Sequence, residues 1–334
     1  MKSLPTTALP RRKRLRSFRR PLQTPADFAR LALRWMFRMM PALLLASMIV
    51  PSAFSDQDAA VDDGKVVTPQ TAGDSRDKSS YNLFNPTPSE LMRGLSPDRP
   101  DKTESPYTVD AGHFQVEMDF ANFTYDYVDG MKIRAWNVAP FNVKIGLLNN
   151  ADLQFVFDDY ISTRTDDKAA GTTVKQSGIG DFTLRLKVNL WGNDGGQTAL
   201  ALLPYVKFPT STAGLGNNAI EGGLILPLTL KLPDDFEMTI EAAGGVFRNN
   251  ANHGRHGEFI QSVSVDHPIA GKLSGYVEFF SNVSGERRAG WEATVDAGLE
   301  YLLTNNIQLD CGCNFGVTRA ADAFNPFAGI TIRF

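Results

Sequence analysis

The sequence is poor in the residues from which metal and redox sites are usually built, with two cysteines and four histidines among 334 residues. Cys311 and Cys313 stand two apart in the stretch LDCGC, so on a strand they would share one face with Leu309 and Phe315. They fit small apolar side chains on an apolar face better than a metal or redox pair, because further ligands are missing. We therefore predict no metal site and no cofactor.

The few histidines also argue against an enzyme. A hydrolase would need a Ser/His or Asp/His group, and no G-x-S-x-G serine motif stands out in the sequence. His253 and His256 share one long connection with Glu258, where a solvated polar loop is a simpler interpretation than a weak metal site. His113 begins the first predicted strand and His267 lies in a short turn. Both are therefore expected at the end of the strands away from the long connections. We predict no catalytic residues and no enzymatic activity.

Long hydrophobic runs are missing as well. A helix needs roughly 20 apolar residues to cross a bilayer, and the run from Met39 to Val50 is shorter. That run follows a basic stretch and precedes two small residues, Ala53 and Ser55, which is the order of a secretory signal peptide. We predict a signal peptide with an extended basic N-terminus over residues 1–55, and the unusual length of its basic part makes Met36 the alternative translation start.

Positive charge is concentrated at the N-terminus. Residues 1–38 contain eleven Lys and Arg and one acid, whereas residues 56–334 contain 23 basic and 36 acidic residues, a net charge of −13. The adjacent Arg19 and Arg20 leave a twin-arginine signal as the weaker alternative. Because the body of the chain is acidic, the basic stretch does not indicate a nucleic-acid surface, and we predict no nucleic-acid partner.

What the chain has in abundance is two-residue alternation. Residues 56–80 are polar and aperiodic, which predicts a disordered leader, and residues 81–112 form a separate segment before the alternation begins. From residue 113 to 334 we count twelve stretches of alternating apolar and polar residues, of which Phe182 to Leu190 is the clearest. Period two held for this length predicts β-strands, although the fifth stretch, residues 198–208, is apolar on both faces.

The connections between these stretches alternate in length. Short ones, rich in turn formers, fall near residues 148–152, 191–196, 233–235, 267–271 and 303–306. Long ones fall near residues 126–132, 161–177, 209–219, 248–257, 283–290 and 318–324. The interleaving predicts an up-and-down meander whose two ends lie on the short-turn side.

Such a meander could be a soluble β-sandwich, a lipocalin-like barrel or a transmembrane barrel. Strands of about 9–11 residues, an even strand count, short turns on one side and long loops on the other match the transmembrane barrel. A closed sheet is also the one β-structure that satisfies its backbone in lipid. We therefore predict an all-β fold, a transmembrane antiparallel up-and-down β-barrel of about 12 strands over residues 113–334, in contact with outer-membrane lipid.

The last stretch, NPFAGITIRF, is an amphipathic strand whose apolar row consists of Ala328, Ile330, Ile332 and Phe334. Bacterial outer-membrane barrels commonly end on a phenylalanine that the insertion machinery recognises. We predict that this row faces lipid, serves as an assembly signal for the barrel-assembly machinery, and belongs to a strand that pairs with residues 114–120. The expected location is the outer membrane of a Gram-negative bacterium, with both termini in the periplasm.

The polar rows of the strands would then line the lumen. The lumen-lining candidates are Glu117, Asp119, Lys144, Asp181, Arg185, Lys187, Glu221, Lys231, Glu241, Glu278, Glu292, Asp296, Asp310 and Arg333. Buried charges are paired as a rule, so these residues can form ion pairs that simply satisfy one another. Taken together, the excess of acids would favour cations or polar neutral solutes in a water-filled pore.

The segment before the first strand carries charges of both signs. We predict that residues 81–112 form either a loose periplasmic segment or a partial plug that folds into the barrel mouth and pairs with lumen charges. The plug candidates are Asp98, Arg99, Asp101, Lys102 and Glu104.

Several stretches resemble one known family. They are YNLFNPTP (81–88), DRPDKTESPYTVDAGHFQVEMDF (98–120), LPDD, NIQLDCGCNFG and NPFAGITIRF. Together they resemble the outer-membrane transporter family labelled as the MetA pathway of phenol degradation, over residues 81–334. The resemblance implies a bacterial outer-membrane barrel that transports aromatic or other apolar compounds.

The function that we predict from these features is an outer-membrane channel or transporter for passive uptake of a small-molecule solute, with aromatic or other apolar compounds as candidate solutes. Twelve strands give a bore between the filled eight-stranded barrels and the open channels of sixteen or more. The alternative is a non-conducting structural or adhesive outer-membrane barrel, and an outer-membrane enzyme ranks below both.

Overall fold

The computed structural model describes residues 77–250 and 254–334. The predicted signal peptide and nearly all of the predicted leader, as well as His253, lie outside the described residues. The described chain contains one short 3₁₀ helix (Ser89–Leu91) and fifteen strands: β1 (Phe114–Val128), β2 (Met131–Val138), β3 (Phe141–Leu148), β4 (Ala151–Phe157), β5 (Tyr160–Asp167), β6 (Thr172–Gly178), β7 (Phe182–Trp191), β8 (Thr198–Phe208), β9 (Glu221–Lys231), β10 (Glu237–Arg248), β11 (Arg255–Ala270), β12 (Leu273–Ser284), β13 (Trp291–Thr304), β14 (Ile307–Gly316) and β15 (Phe324–Arg333). Within these residues, no helix has the length and apolar character needed to span a membrane.

Twelve of these strands close into an antiparallel barrel in the order β1, β3, β4 and then β7 to β15. The last strand closes the ring, because β15 pairs with β1 from Arg333 opposite Gln115 to Phe324 opposite Tyr125. The predicted all-β barrel of about twelve strands, with its final stretch paired to its first, is thus confirmed.

The remaining strands form a sheet that continues the barrel wall beyond one end. The C-terminal part of β1, residues 121–128, pairs with β2. In turn, β2 pairs with β5, and β5 pairs with β6. We call this part of the wall, which is formed by residues 121–138 and 160–178, the projecting sheet. It separates from the barrel between the end of β2 and the start of β3. At this point Ala139 adopts a left-handed backbone conformation (φ 53°) and is followed by Pro140.

The projecting sheet differs from the sequence prediction, which placed long loops near residues 126–132 and 161–177. Both regions consist mostly of paired strand, joined by turns at residues 129–130 and 168–171. Their residues are mainly Thr, Tyr and charged types. Met131, Ala135 and Ile161 of this sheet are buried, but polar residues interrupt the row on either side of them, so the periodic signal on which the prediction depended is weak there.

The other connections follow the predicted interleaving. Turns at residues 149–150, 192–197, 232–236, 271–272 and 305–306 lie at one end of the barrel, which we call the short-turn end. The projecting sheet, the end of β10 and the start of β11, and the connections at residues 209–220, 285–290 and 317–323 lie at the other, which we call the loop end.

The two faces of the wall are inverted relative to a soluble protein. On the inner face, charged side chains such as Lys187 are fully buried, whereas outward-facing Val277 on β12 is 59% exposed. Apolar outside and polar inside is the arrangement of a membrane barrel. An aromatic row crosses four adjacent strands on the outer face, with ring centroids 4.7 to 5.8 Å apart, and consists of Phe141, Phe157, Phe182 and Phe208. It lies at the level where the barrel ends and the projecting sheet begins, as expected of an interfacial aromatic girdle.

Inward-facing glycines make room for large side chains on the inner wall. A Cβ atom on Gly298 would lie 2.5 Å from both the Tyr276 ring and the carbonyl oxygen of Cys311. We expect Gly298→Ala to destabilise the barrel by roughly 1–3 kcal/mol, because even one added methyl group would overpack this site. Urea unfolding of the barrel folded in lipid vesicles measures the change. The matched control is Gly244→Ala, whose Cβ would meet nothing nearer than 3.8 Å and should stabilise the strand by about 0.5–1 kcal/mol; equal effects of the two changes would contradict the prediction.

Candidate functional site

Residues 93–112, which we call the inner segment, fold back inside the barrel. The segment is anchored at the short-turn end, where the Arg93 guanidinium donates to the carbonyl oxygens of Thr108 and Asn149. It returns to the same end, where the Gly112 amide donates to the carbonyl oxygen of Gly146 at 2.9 Å. Between these points, its side chains and backbone meet the inner faces of most barrel strands.

Asp98 is the anchor on the side of β3 and β7. Its carboxylate pairs with the ammonium groups of Lys144 and Lys187, both of which are buried. Burial opposes the charged form, yet these two cations hold the pKa of Asp98 well below its ordinary value. The Asp98 amide also donates to Glu117 at 3.1 Å, so backbone and side chain are fixed together.

Arg99 is the anchor on the side of β1 and β14. Its guanidinium donates to Asp310 through two nitrogens and to Asp119 through the third. Both acids are buried, and a planar guanidinium suits this forked arrangement. Gly329 on β15 leaves the space for it, because a Cβ atom there would lie 2.2 Å from an Arg99 nitrogen.

The following residues meet β10 to β13 mainly through backbone amides. The amides of Lys102 and Thr103 donate to Glu278 at 3.0 and 2.8 Å, and the amide of Glu104 donates to Glu241 at 2.7 Å. The Glu104 carboxylate pairs with Arg185 of β7 across the lumen. Residues 102–104 therefore bridge opposite walls.

Lys102 is the residue of this stretch that points toward the loop end. Its ammonium lies 3.0 Å from Asp296, 2.7 Å from the Thr294 hydroxyl and 4.6 Å from the centre of the Phe280 ring. These partners lie in the half of β12 and β13 nearer the loop end. Lys102 is thus the cation of the inner segment whose contacts lie nearest the loop end.

One part of the inner wall is apolar instead of charged. The cluster on β8 to β11, which we call the apolar wall, consists of Ala201, Leu203, Tyr205, Ile225, Ala243, Phe247 and Ile260, with Phe280 of β12 packed against it. Gly223 and Gly245 leave space for the Tyr205 side chain, because a Cβ atom on either would lie within 3 Å of its hydroxyl. The apolar wall faces the lumen beside residues 101–104.

Most sequence-predicted lumen residues come together around the inner segment. Those that are buried on the inner faces are Glu117, Asp119, Lys144, Arg185, Lys187, Glu221, Glu241, Glu278, Asp296, Asp310 and Arg333. Asp181 and Glu292 are partly buried nearer the loop end, and Lys231 is exposed at the last position of β9. Each of the plug candidates Asp98, Arg99, Lys102 and Glu104 contacts at least one of these buried residues.

The sequence interpretation missed three sets of residues. One is the anchor at the short-turn end, formed by Arg93, Asp110 and Asp194. A second is Asp152, which accepts the Val109 amide at 3.0 Å. The third is the apolar wall, and for this set a signal existed, because the fifth alternating stretch is apolar on both faces.

The described residues contain no group of three or more His, Cys, Asp or Glu side chains placed to hold a metal ion. His256 and Glu258, predicted to lie in a solvated loop, are instead on β11, and His256 makes hydrogen bonds through its two ring nitrogens to Asn249 at 2.8 Å and Glu258 at 3.0 Å. Cys311 and Cys313 are free thiols.

Comparisons with known proteins bear on the family and the fold. A profile of the family described as "Putative MetA-pathway of phenol degradation" matches residues 97–334, which confirms the resemblance seen in the sequence. No curated protein sequence matches the chain. An outer membrane channel from Pseudomonas putida F1 has a similar structure, at 14% identity and a TM-score of 0.52, and the alignment covers 72% of this chain and 100% of that one.

Two further structures align less well with this chain. The NanC porin aligns at 12% identity and a TM-score of 0.42, over 66% of this chain and 98% of its own. The CymD monoaromatic hydrocarbon channel aligns at 9% identity and a TM-score of 0.36, over 66% of this chain and 87% of its own. At these low sequence identities, the likeness of the Pseudomonas putida F1 channel to this chain concerns the fold alone.

Proposed function

The chain belongs to the family described as "Putative MetA-pathway of phenol degradation", and from this premise we propose that it is an outer-membrane channel for passive uptake of small apolar or aromatic solutes. In this proposal the short-turn end and both termini face the periplasm, and the loop end faces the outside. The inner segment acts as a plug that narrows the passage, and lumen charges hold it in place.

The apolar wall is the observation that supports this cargo. A lumen that only had to satisfy the charges of the inner segment would be polar all round, as it is on β1, β3, β7 and β14. Seven buried apolar side chains on four neighbouring strands are needed neither for lipid contact nor for those ion pairs. An apolar surface that opens on one side of a plug offers a solute the favourable transfer from water that polar walls cannot give.

We propose a channel and not an enzyme on the basis of the loop end. His256 is the histidine of the described chain on that side, and its ring is held between Asn249 and Glu258. A nucleophile and base at that rim would need one ring nitrogen free for the reacting group.

Planar-bilayer recording tests the proposal. Purified protein should give discrete conductance steps, and micromolar to millimolar toluene or phenol added on the loop-end side should reduce the ionic current by occupying the apolar wall. A barrel that inserts fully but never conducts would overturn the proposal in favour of the structural or adhesive alternative, for which the projecting sheet would be the exposed surface.

A substitution in the apolar wall makes the test specific. Ile225→Thr removes one methyl group and replaces a methylene by a hydroxyl, a loss of apolar surface worth roughly 1.6 kcal/mol, so the concentration of toluene that halves the current should rise by about fifteenfold. Ile133→Thr is the matched control, because Ile133 lies in the projecting sheet, outside the lumen, and should leave that concentration unchanged. The same concentration in Ile225→Thr and the parent protein would contradict the assignment of the wall.

A further inference from the structure

Cations gather on one face of the projecting sheet. Arg134 of β2, Arg164 of β5 and Lys175 of β6 lie directly opposite one another across the three strands, so their side chains share a face. Lys132 is two positions from Arg134 on β2 and therefore lies on the same face. We call these four residues the cationic row. It contrasts with the body of the chain, residues 56–334, whose net charge is −13.

The cationic row lies on the face that continues the lipid-facing side of the barrel. On β1, Tyr125 pairs with Arg134 on one side and with Phe324 of β15 on the other, and Phe324 is exposed on the outer wall. The opposite face of the projecting sheet contains the buried side chains of Ala135 and Ile161. The row therefore points outward from the barrel and not over its lumen.

One carboxylate of the projecting sheet accompanies the row. Asp166 of β5 accepts hydrogen bonds from Arg134, from Arg164 at 3.0 Å and from the Thr173 hydroxyl at 2.7 Å, so it holds the two guanidinium groups side by side. Each guanidinium has further N–H donors. Four cations against this one acid leave the outer face of the sheet with an excess of positive charge.

The other acids of this region lie away from the row. They are Asp126 on the inner face, Asp129 in the turn between β1 and β2, Asp167 at the end of β5, and Asp158 and Asp159 between β4 and β5. Asp167 accepts two amides of its own turn, at 2.8 and 3.0 Å. Asp158 and Asp159 directly follow Phe157, so they lie at the level of the aromatic row and nearer the barrel than the cations.

The cationic row also lies at the depth where lipid phosphate groups are found. On β2, exposed apolar surface continues beyond the aromatic row through Val138 to Trp136, which are 39% and 50% exposed. Tryptophan rings of this kind mark the edge of the hydrocarbon layer. Arg134 is the next outward residue, about 7 Å farther along the strand, and the headgroup layer on each side of a bilayer is roughly 5–8 Å thick. Arg134 thus falls in the headgroup layer.

A cleft below the row favours a lipid over a soluble phosphate compound. It has a volume of about 320 Å³ and lies on the outer face, where the aromatic row meets the projecting sheet; its lining includes Phe141, Phe157, Ile179 and Phe182. These apolar side chains offer an acyl chain a place beneath the cations. One molecule with both acyl chains and phosphate groups can meet both features.

We propose that the outer face of the projecting sheet binds a phosphorylated glycolipid of the outer leaflet, with Arg134, Arg164 and Lys175 contacting its phosphate groups and the cleft holding an acyl chain. This inference rests on the proposed orientation of the channel, in which the loop end faces the outside. Because the row is exposed, added salt should weaken the binding.

Native mass spectrometry of the purified protein in detergent, titrated with diphosphoryl lipid A, tests the proposal. The double variant Arg164→Gln and Lys175→Gln removes two cations of the row. Each Lys or Arg near an anionic lipid surface contributes about fivefold in affinity, so the Kd for lipid A should rise roughly thirtyfold. The matched control is the double variant Arg287→Gln and Arg288→Gln, which removes two exposed cations from the connection between β12 and β13, also at the loop end. It should leave the Kd unchanged.

Three further ligands separate the sources of this chemistry. Lipid A without its phosphates should bind at least about tenfold more weakly, and inorganic phosphate should not displace lipid A. Displacement by inorganic phosphate, or binding of phosphatidylglycerol as tight as that of lipid A, would overturn the commitment to a glycolipid. Equal losses in the two double variants, or no binding by the parent protein, would overturn the site itself.

Two controls keep the result separate from folding and from channel function. Heat-modifiable migration of each variant shows that its barrel is folded, so that a loss of binding reports the row alone. A parent protein that binds lipid A and never conducts would overturn the proposed channel and leave the lipid site standing. A protein that conducts without binding lipid A would do the reverse.

Discussion

Arg99→Ala is expected to free the inner segment and to give a channel that is open most of the time. The substitution leaves Asp119 and Asp310 buried opposite each other without their cation. Breaking a buried ion pair by removing one partner costs roughly 3–5 kcal/mol. Because the barrel can relieve this cost by letting water into the lumen and releasing residues 98–104, the equilibrium between closed and open plug should shift by at least about a hundredfold.

Single-channel recording gives the open probability, and limited proteolysis from the short-turn side gives the accessibility of the segment. Arg134→Ala is the matched control, since it also removes an arginine paired with an acid, Asp166, but in the projecting sheet, where both side chains are partly exposed. An exposed pair contributes about 0–1 kcal/mol, so this variant should conduct like the parent. Unchanged open probability and unchanged proteolysis in Arg99→Ala would mean that the anchor is not what holds the plug.

The contrast between these two arginines also shows what the sequence can and cannot predict. The alternation of residues predicts the barrel strands, because lipid on one face and a polar lumen on the other require apolar and polar residues to alternate along each strand. It fails in the projecting sheet, where polar residues such as Arg134 interrupt the apolar row. It becomes ambiguous in β8, where Leu203 belongs to the apolar wall and its outward neighbours face lipid.

The partners of the inner segment are harder to predict than its presence. Mixed charges next to a barrel suggest pairing with lumen residues, but nothing local selects Asp310, which is 211 positions from Arg99 along the chain. That choice depends on how the closed ring brings β14 within one strand of β1, with β15 between them, and on Gly329 of β15, which leaves space for the guanidinium.

Phe334→Ala is expected to lower the amount of assembled barrel severalfold while leaving the conductance of each assembled channel unchanged. We propose that the row Ala328, Ile330, Ile332 and Phe334 is read by the barrel-assembly machinery before the ring closes. In the closed barrel the Phe334 side chain is 66% exposed on the outer face, so its loss should change the free energy of unfolding by no more than about 0.5 kcal/mol. A defect in assembly much larger than this loss of stability would have to arise before the barrel is complete.

Phe114→Ala is the control that separates a signal from an interfacial ring. Phe114 and Phe334 pair directly at the closing seam, where the amide of each donates to the carbonyl oxygen of the other at 3.2 and 2.8 Å. Both rings are exposed at the short-turn end, so both would serve an aromatic belt equally, whereas only Phe334 belongs to the strand proposed as the signal. Heat-modifiable migration of outer-membrane fractions measures the assembled fraction, and vesicle-reconstituted protein gives the conductance. If Phe114→Ala lowers the assembled fraction as much as Phe334→Ala does, both rings act through the membrane interface, and the C-terminal strand is not recognised through its phenylalanine.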